Sequence, residues 1–334
     1  MPDMSAGIIG TGYYLPEKVL TNFDLEQMVQ TSDAWIVERT GIHERRIADD
    51  GEPVSALAFR AAEMALADAG IAGEDLDLII MATLTSDRII PATSCILQDR
   101  LGAKHAAAFD LSAACSGFVY ASSIAAQFIE SGIYRYVLVI GAETLSKVID
   151  WKDRNTCILF GDGAGAAVFG AVEQGYGIRA FDLGSDGSGG DVLEIPSSGS
   201  LHPVTPETIE QRLNYVHMDG KAVFRFATKV MGRTVETSLQ KAGMKREALD
   251  FLVPHQANIR IIQSAAKRLD LPMEKVIINI HRYGNMSAAS IPVALAEAAH
   301  AHQFKKGDNV ALAGFGAGLT WASCVMKWAK EEYG

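Results

Sequence analysis

The feature that most constrains the fold is a repeat inside the chain. "LADAGIAGEDLDLIIMA" (Leu66 to Ala82) aligns without a gap on "LQKAGMKREALDFLVPH" (Leu239 to His255). Ala69-Gly70 falls on Ala242-Gly243, and Leu76-Asp77 on Leu249-Asp250, each 173 positions on. Both copies read as a helix stopped by glycine, a short polar loop and an apolar strand, because glycine accepts the left-handed backbone that ends a helix. The offset returns further along. "YRYVLVIGAE" (Tyr134 to Glu143) falls on "GDNVALAGFG" (Gly307 to Gly316), with Val137 on Val310. Both strands follow a long alanine-rich helix, and the stretch between the two matches is expected to need a small insertion. Two matches at one offset favour duplication over chance likeness of generic α/β segments.

A duplicated chain of 334 residues has room for two α/β halves. We place them at 1–181 and 182–334. The strands are short and apolar enough to be buried on both faces, so helices must cover both sides of each sheet. The glycine- and serine-rich region from Gly184 to His217 reads as a surface connection. "FGDGAGAA" (Phe160 to Ala167) lacks the Lys-Ser/Thr of a phosphate-binding loop and reads as a turn before a buried strand.

Composition removes several classes of function. A net charge of −10 argues against nucleic acid as a general partner. No apolar run approaches the roughly 20 residues that span a bilayer, so no membrane insertion is expected. The first residues lack the basic and apolar regions of a signal peptide. Cys95, Cys115, Cys157 and Cys324 are widely spaced and form no CxxC pair. Neither a disulfide framework nor a zinc site is expected, and a reducing cytoplasm is.

In α/β sheets, sites form where strands end and helices begin. Three residues stand at such places: Cys115 in "SAACSGF", His255 at the end of "DFLVPH", and Asn285 in "YGNMSAAS". A helix N-terminus offers unpaired N–H groups and partial positive charge, which predicts a lowered thiol pKa at Cys115. The small neighbours Ala113, Ala114, Ser116 and Gly117 leave room for a substrate. Each residue also has a plain structural reading: a buried cysteine, a histidine satisfied at a strand end, an asparagine capping a helix. "AGFGAGLTWAS" (Ala313 to Ser323) reads as two strands around a glycine-rich turn, whose N–H groups could hold an oxyanion or simply close a hairpin.

Taken in order, "SAACSGF", "HQAN", "GNMSAAS" and "FGAGLTW" resemble the β-ketoacyl-acyl-carrier-protein synthase III family. "GTGYYLPEKVLTN", "TSDAWIVERTGIHERR" and "FGDGAGAAV" carry the likeness nearly end to end. The resemblance implies the thiolase-like fold, two duplicated α/β halves with buried mixed sheets and helices between and outside them, layered αβαβα. It implies a decarboxylative Claisen condensation that starts type II fatty acid synthesis. An acyl-CoA primer is loaded on a cysteine and joined to malonyl-acyl carrier protein, releasing CO2 and CoA.

The family's triad falls on Cys115, His255 and Asn285, and its oxyanion hole on the backbone N–H groups of Cys115 and Ala317. Ala317 stands where glycine is common and Met286 where threonine is common; a backbone donor tolerates Ala, and Met286 is expected to reshape the pocket slightly. The likeness places coenzyme A against Trp35, Arg39, Arg154 and Asn258, with Trp35 and Arg154 on either side of the adenine. It implies a homodimer in which Ile90 of the partner closes the acyl pocket. Acyl carrier protein is acidic, and Arg225, Arg260, Lys267 and Arg268 are the basic residues expected to meet it. No metal or redox cofactor is implied; coenzyme A enters as a thioester substrate. A related condensing enzyme of specialised metabolism keeps the same triad. A non-catalytic partner subunit and a papain-like cysteine hydrolase are the other readings, the latter without its cysteine motif near the start of the chain.

Overall fold

The computed structural model of the chain describes residues 5–331, so the outermost residues of the two expected halves, 1–4 and 332–334, lie outside the described residues. In the first half, β1 (Ser5–Tyr14) is followed by β2 (Lys18–Thr21), α1 (Asn22–Glu26), α2 (Asp33–Thr40) and β3 (Glu44–Ile47). Then come α3 (Val54–Ala69), β4 (Leu78–Ala82), α4 (Thr93–Arg100), β5 (Ala107–Leu111), α5 (Gly117–Glu130), β6 (Val137–Thr144), the one-turn α6 (Arg154–Cys157) and β7 (Asp162–Val172). The second half runs β8 (Gly177–Ser185), β9 (Leu193–Glu194), α7 (Pro206–Glu210), β10 (His217–Met218), α8 (Gly220–Lys241) and β11 (Phe251–Pro254). It ends with α9 (Ile259–Arg268), α10 (Ile280–Tyr283), α11 (Ser290–His300), β12 (Asn309–Gly316) and β13 (Thr320–Lys327).

The two large sheets have the same plan. Their strand orders are β1-β7-β6-β4-β5 and β8-β13-β12-β11. β6, β4 and β5 are parallel while β7 runs against β6 and β1; β11 and β12 are parallel while β13 runs against β12 and β8. The sheets are therefore mixed, as the resemblance implies. β5 alone has no counterpart, and the residues 173 positions beyond it form α10 instead.

Period-two alternation in the strands feeds three layers of core. Leu78, Ile80, Val137 and Val139 point inward with Val310 and Leu312 of the other sheet, against Phe118, Val119, Ala125 and Ile129 of α5 and Ile291, Ala294 and Leu295 of α11. The alternate residues Ile79, Met81, Leu138 and Ile140 meet Leu57, Ala58 and Ala61 of α3. On the far side Leu252, Ala311 and Val325 meet Val230, Val235, Ile261 and Ile262 of α8 and α9. The order helix, sheet, helices, sheet, helices is the expected αβαβα sandwich. Each fully buried Leu, Ile or Phe contributes roughly 1.5–3 kcal/mol by leaving water.

Four details differ from the sequence reading. No net insertion separates the two matches, because the turns Ala114–Ser116 and Ser287–Ala289 also lie 173 positions apart. The extra length falls later, in the segment 145–161 between β6 and β7, where β12 and β13 are joined by 317–319 alone. The glycines of "FGDGAGAA" lie mostly within β7 rather than in a turn, and α11 crosses Gly165 closely. A Cβ at Gly165 would stand 2.5 Å from the Val293 nitrogen. The connection 184–217 is partly regular, holding β9, α7 and β10. β8 belongs wholly to the second sheet, so a division at 181/182 falls inside that strand.

Candidate active site

Cys115 sits in the turn between β5 and α5, and Ala114 before it holds a left-handed backbone with φ 49°. β12 of the other half presses on this turn. A Cβ at Gly314 would lie 3.1 Å from the Cys115 oxygen, and one at Gly316 only 2.6 Å from the Cys115 nitrogen. Glycine at Gly316 is therefore a steric requirement. The thiol donates to the Ser287 hydroxyl at 3.4 Å and is 6 % exposed. Burial pushes its pKa up to about 12, with Glu143 adding to the rise and Ser287 opposing it. This corrects the expectation of a lowered thiol pKa. The helix start is in place, but the covering turn and strand remove the sulfur from water, and desolvation outweighs the helix field.

His255 ends β11. Its N–H donates to the Ala313 oxygen at 2.7 Å, and its ring meets Phe315 edge-on at 5.4 Å between centroids. Burial holds its pKa down to about 3, so the ring is neutral at pH 7. Its Nδ1 is buried with no hydrogen-bond partner among the described residues.

Asn285 follows α10 and is tied to the loop before β7: its N–H donates to the Leu159 oxygen at 2.8 Å, and its carbonyl accepts from Gly161 at 3.0 Å. Its Oδ1 accepts from the Ser287 N–H at 2.8 Å. That bond fixes the amide and leaves Nδ2 as its free donor among the described residues.

Cys115, His255 and Asn285 line one cleft of about 930 Å³, which also meets Trp35, Arg39, Asn258, Arg225 and Arg260. Residues from both halves thus converge on one space. Trp35 carries two guanidinium groups, Arg39 at 5.1 Å and Arg154 at 4.8 Å from its ring centroid. A base stacked on both sides needs roughly 7 Å, twice a contact distance of about 3.5 Å. Arg154, held by the Gln30 oxygen at 3.0 Å, therefore has to swing aside before any ring enters. Asn258 accepts from the Arg260 N–H at 2.9 Å and donates to the Arg39 oxygen at 2.8 Å, joining α9 to the end of α2.

The remaining expected residues lie elsewhere. Ala317 is in the turn after Gly316. Ile90 is 83 % exposed and Ile89 88 %, outside the cleft of their own chain. Lys267 and Arg268 lie at the far end of α9, and Arg268 is paired with Glu236 at 2.7 Å. Met286 does not line the cleft, contrary to expectation; it is fully buried beside Tyr283 and Val293, where β7 and α11 close over it.

Sequence reasoning missed Ser287, Glu143 and Lys221. Lys221 lines the cleft mouth. Glu143 is fully buried near the end of β6, and burial lifts its pKa to about 7. Its signal was a carboxylate closing an apolar strand. Among the described residues no group of His, Cys, Asp and Glu could hold a metal ion, and no helix is long and apolar enough to cross a membrane.

Two family profiles match the chain. One, described as 3-Oxoacyl-[acyl-carrier-protein (ACP)] synthase III, covers residues 109–187, and the other, its C-terminal part, covers residues 239–328. A beta-ketoacyl-[acyl-carrier-protein] synthase III of Desulfitobacterium hafniense (strain Y51) is 57% identical over 98% of this chain and 99% of its own length. The namesake from Caldanaerobacter subterraneus is 58% identical over 98% and 99%. Among solved structures, the 3-oxoacyl-[acyl-carrier-protein] synthase III of Aquifex aeolicus VF5 superposes with a TM-score of 0.89 at 47% identity, covering 97% of this chain and 100% of that one. The priming β-ketosynthase of the R1128 polyketide pathway superposes with a TM-score of 0.92 at 35% identity, covering 99% of each.

Proposed function

We infer the activity from one premise: the chain belongs to the 3-oxoacyl-acyl-carrier-protein synthase III family. It is an acyltransferase of the condensing class, joining an acyl primer to a carrier-bound malonyl unit in fatty acid synthesis. The observation that carries the assignment of roles is the convergence of Cys115, His255 and Asn285 on one cleft.

In the first half-reaction the Cys115 sulfur attacks the thioester carbonyl of an acyl-CoA and loses its proton. The tetrahedral oxyanion takes hydrogen bonds from the backbone N–H groups of Cys115 and Ala317, and CoA leaves. In the second, malonyl-acyl carrier protein enters. The His255 ring and the Asn285 Nδ2 donate to its thioester oxygen and hold the enolate that forms as CO2 departs. The enolate carbon attacks the acyl-cysteine and the β-ketoacyl chain leaves on the carrier. A donor role suits a histidine whose ring is neutral at pH 7. It suits an asparagine whose carbonyl oxygen is already taken. No step calls for a metal or redox cofactor.

Trp35, Arg39, Arg154 and Asn258 receive coenzyme A, with Arg154 moving off Trp35 to admit the adenine. Arg225, Arg260 and Lys221, all at the cleft, steer the acidic carrier protein, and such steering weakens with salt. Lys267 and Arg268 extend that basic face. The chain acts as a homodimer in which Ile90 of one copy meets the primer of the other, a role that suits two isoleucines left 83 % and 88 % exposed. The resemblance puts phenylalanine at the place of Ile90 in acetyl-specific members; isoleucine is smaller, so primers longer than acetyl, or branched, are accepted, and Ile90→Phe shifts the preference towards acetyl. We set the boundary between the halves at residues 173–176, between β7 and β8. Cys115 has to stay reduced, which suits the cytoplasm. A polyketide-priming role is the weaker reading, since the identity is 35% there against 57% for the Desulfitobacterium relative.

The test is a complete turnover. Wild-type protein given acyl-CoA and malonyl-acyl carrier protein should release CO2 and CoA in equal amounts and leave a β-ketoacyl carrier. CO2 release without a condensed product would overturn the assignment.

A further inference from the structure

Glu143 is a fully buried carboxylate that the steps above leave without a task. Its oxygens accept from the Thr83 hydroxyl at 3.3 Å, the Leu84 N–H at 3.1 Å and the Thr85 hydroxyl at 2.7 Å. The turn that carries Ser287 packs against β6, and the Ser287 hydroxyl favours the charged form of the same carboxylate. Among the described residues, no cation belongs to the groups that act on it. A carboxylate buried among uncharged donors alone is costly to keep, and such groups collect where a proton must be handled.

Ser287 is also the group that takes the Cys115 S–H, at 3.4 Å. The Ser287 hydroxyl therefore stands between the sulfur, which it meets at 3.4 Å, and the Glu143 carboxylate, whose charge it favours. The other acceptor by residue type is His255, but burial leaves its ring a poor base, with a pKa near 3 against about 7 for Glu143. The duplication adds a separate argument. The position 173 on from Glu143 is Gly316, where a Cβ would strike the Cys115 nitrogen at 2.6 Å. One half brings bare backbone to the nucleophile; the other brings a carboxylate to the serine that touches it.

We propose that Ser287 and Glu143 form a proton relay that takes the thiol proton of Cys115 as the sulfur attacks the primer. This rests on the acyl-cysteine reading above. The S–H bond breaks as the S–C bond forms. The thiol proton passes to the Ser287 oxygen while the serine's own proton passes to Glu143. The leaving CoA thiolate takes its proton from water in the open cleft. Glu143 keeps the borrowed proton through the life of the acyl-enzyme. It returns that proton through Ser287 when the Cys115 sulfur is expelled in the condensation. Ser287 touches the reacting sulfur; Glu143 acts through it. The titratable group coupled to Glu143 is Cys115, and the others against it, Thr83, Thr85, Ser287 and the Leu84 amide, are uncharged.

The test follows acyl-enzyme formation by intact mass at short times from pH 6 to pH 8.5, in wild type, Glu143→Gln, Glu143→Asp, Ser287→Ala and the Gln/Ala double variant. Wild-type acylation should rise with pH through a midpoint near 7. Glu143→Gln should slow acylation at pH 8 by about 100-fold and erase that rise. Ser287→Ala should do the same, the double variant should be no slower than either, and Glu143→Asp should recover part of the rate. If Glu143→Gln does not fold, Ser287→Ala carries the same comparison. Wild-type rate and pH profile in a folded Gln or Ala variant overturn the relay alone. Absence of any acyl-enzyme in the wild type overturns the acyl-cysteine reading and the relay with it.

Discussion

Ala114 and Ser287 lie 173 positions apart and hold the same left-handed backbone, with φ 49° and 46°. Each residue opens a single 3-10 turn that runs directly into a central helix, α5 or α11. Neither is glycine, so both turns carry strain that the surrounding packing holds in place. The duplicated turn presents the Cys115 thiol in one half and, in the other, the serine hydroxyl that meets it.

The close approach of β12 to the first turn makes Gly316 sensitive. Gly316→Ala places a methyl 2.6 Å from the Cys115 nitrogen and 2.9 Å from the Ala114 Cβ. We expect a loss of about 1–3 kcal/mol in stability from overpacking. We also expect a fall of at least about 100-fold in acylation, as for loss of one oxyanion donor. Urea unfolding and acyl-enzyme mass check the two separately; unchanged acylation would show that the turn has room to spare.

The two half-reactions should separate at the donors. His255→Ala and Asn285→Ala should still acquire an acyl group from acyl-CoA. Condensation with malonyl-acyl carrier protein should fall by about 100- to 1,000-fold, the usual cost of a lost oxyanion donor. Acylation and CO2 release measured on the same samples check this. Equal losses in both steps would place these residues in the first step.

Trp35→Ala removes the platform under Arg39 and Arg154. A stacking platform contributes roughly 1–3 kcal/mol per base. The KM for acyl-CoA should rise about tenfold or more with kcat little changed, and steady-state kinetics read this directly. A fall in kcat at constant KM would move Trp35 away from coenzyme A.

Two buried groups set opposite pH limits on stability. The Glu143 pKa is raised by burial from 4.5 to about 7. Its contribution is present below 4.5 and is lost as pH rises through 7, by up to about 3 kcal/mol. The His255 pKa is lowered by burial from 6.5 to about 3. Its contribution is present above 6.5 and is lost as pH falls through 3, by up to about 5 kcal/mol. Urea unfolding of wild type and Glu143→Gln at pH 5 and pH 8 isolates the first effect: the variant should gain on the wild type as pH rises. A constant difference would mean that Glu143 titrates as an ordinary carboxylate.

The repeat made two like α/β halves legible, because a strand buried on both faces must be apolar throughout, as β4 and β6 are; the order of strands within each sheet was not in that pattern. Cys115, His255 and Asn285 were legible as strand ends and helix starts. What stayed hidden depends on groups distant in sequence. The thiol pKa moves up because β12 and the Ser287 turn cover the sulfur, and no local pattern around Cys115 reports that. Glu143 takes its meaning from Ser287, in the other half of the chain. Met286 faces inward because β7 has glycine where its sulfur lies, a fit visible only once β7 and α11 are packed. α10 replaces a counterpart of β5, which a shared offset in length conceals.

The most direct test of the account is intact-protein mass after incubation with a panel of acyl-CoAs, for wild type and Cys115→Ala. The account predicts a gain of one acyl group in the wild type and none in the variant, with four- and five-carbon primers taken up faster than acetyl. No gain with any acyl-CoA, or a gain that survives Cys115→Ala, would contradict it.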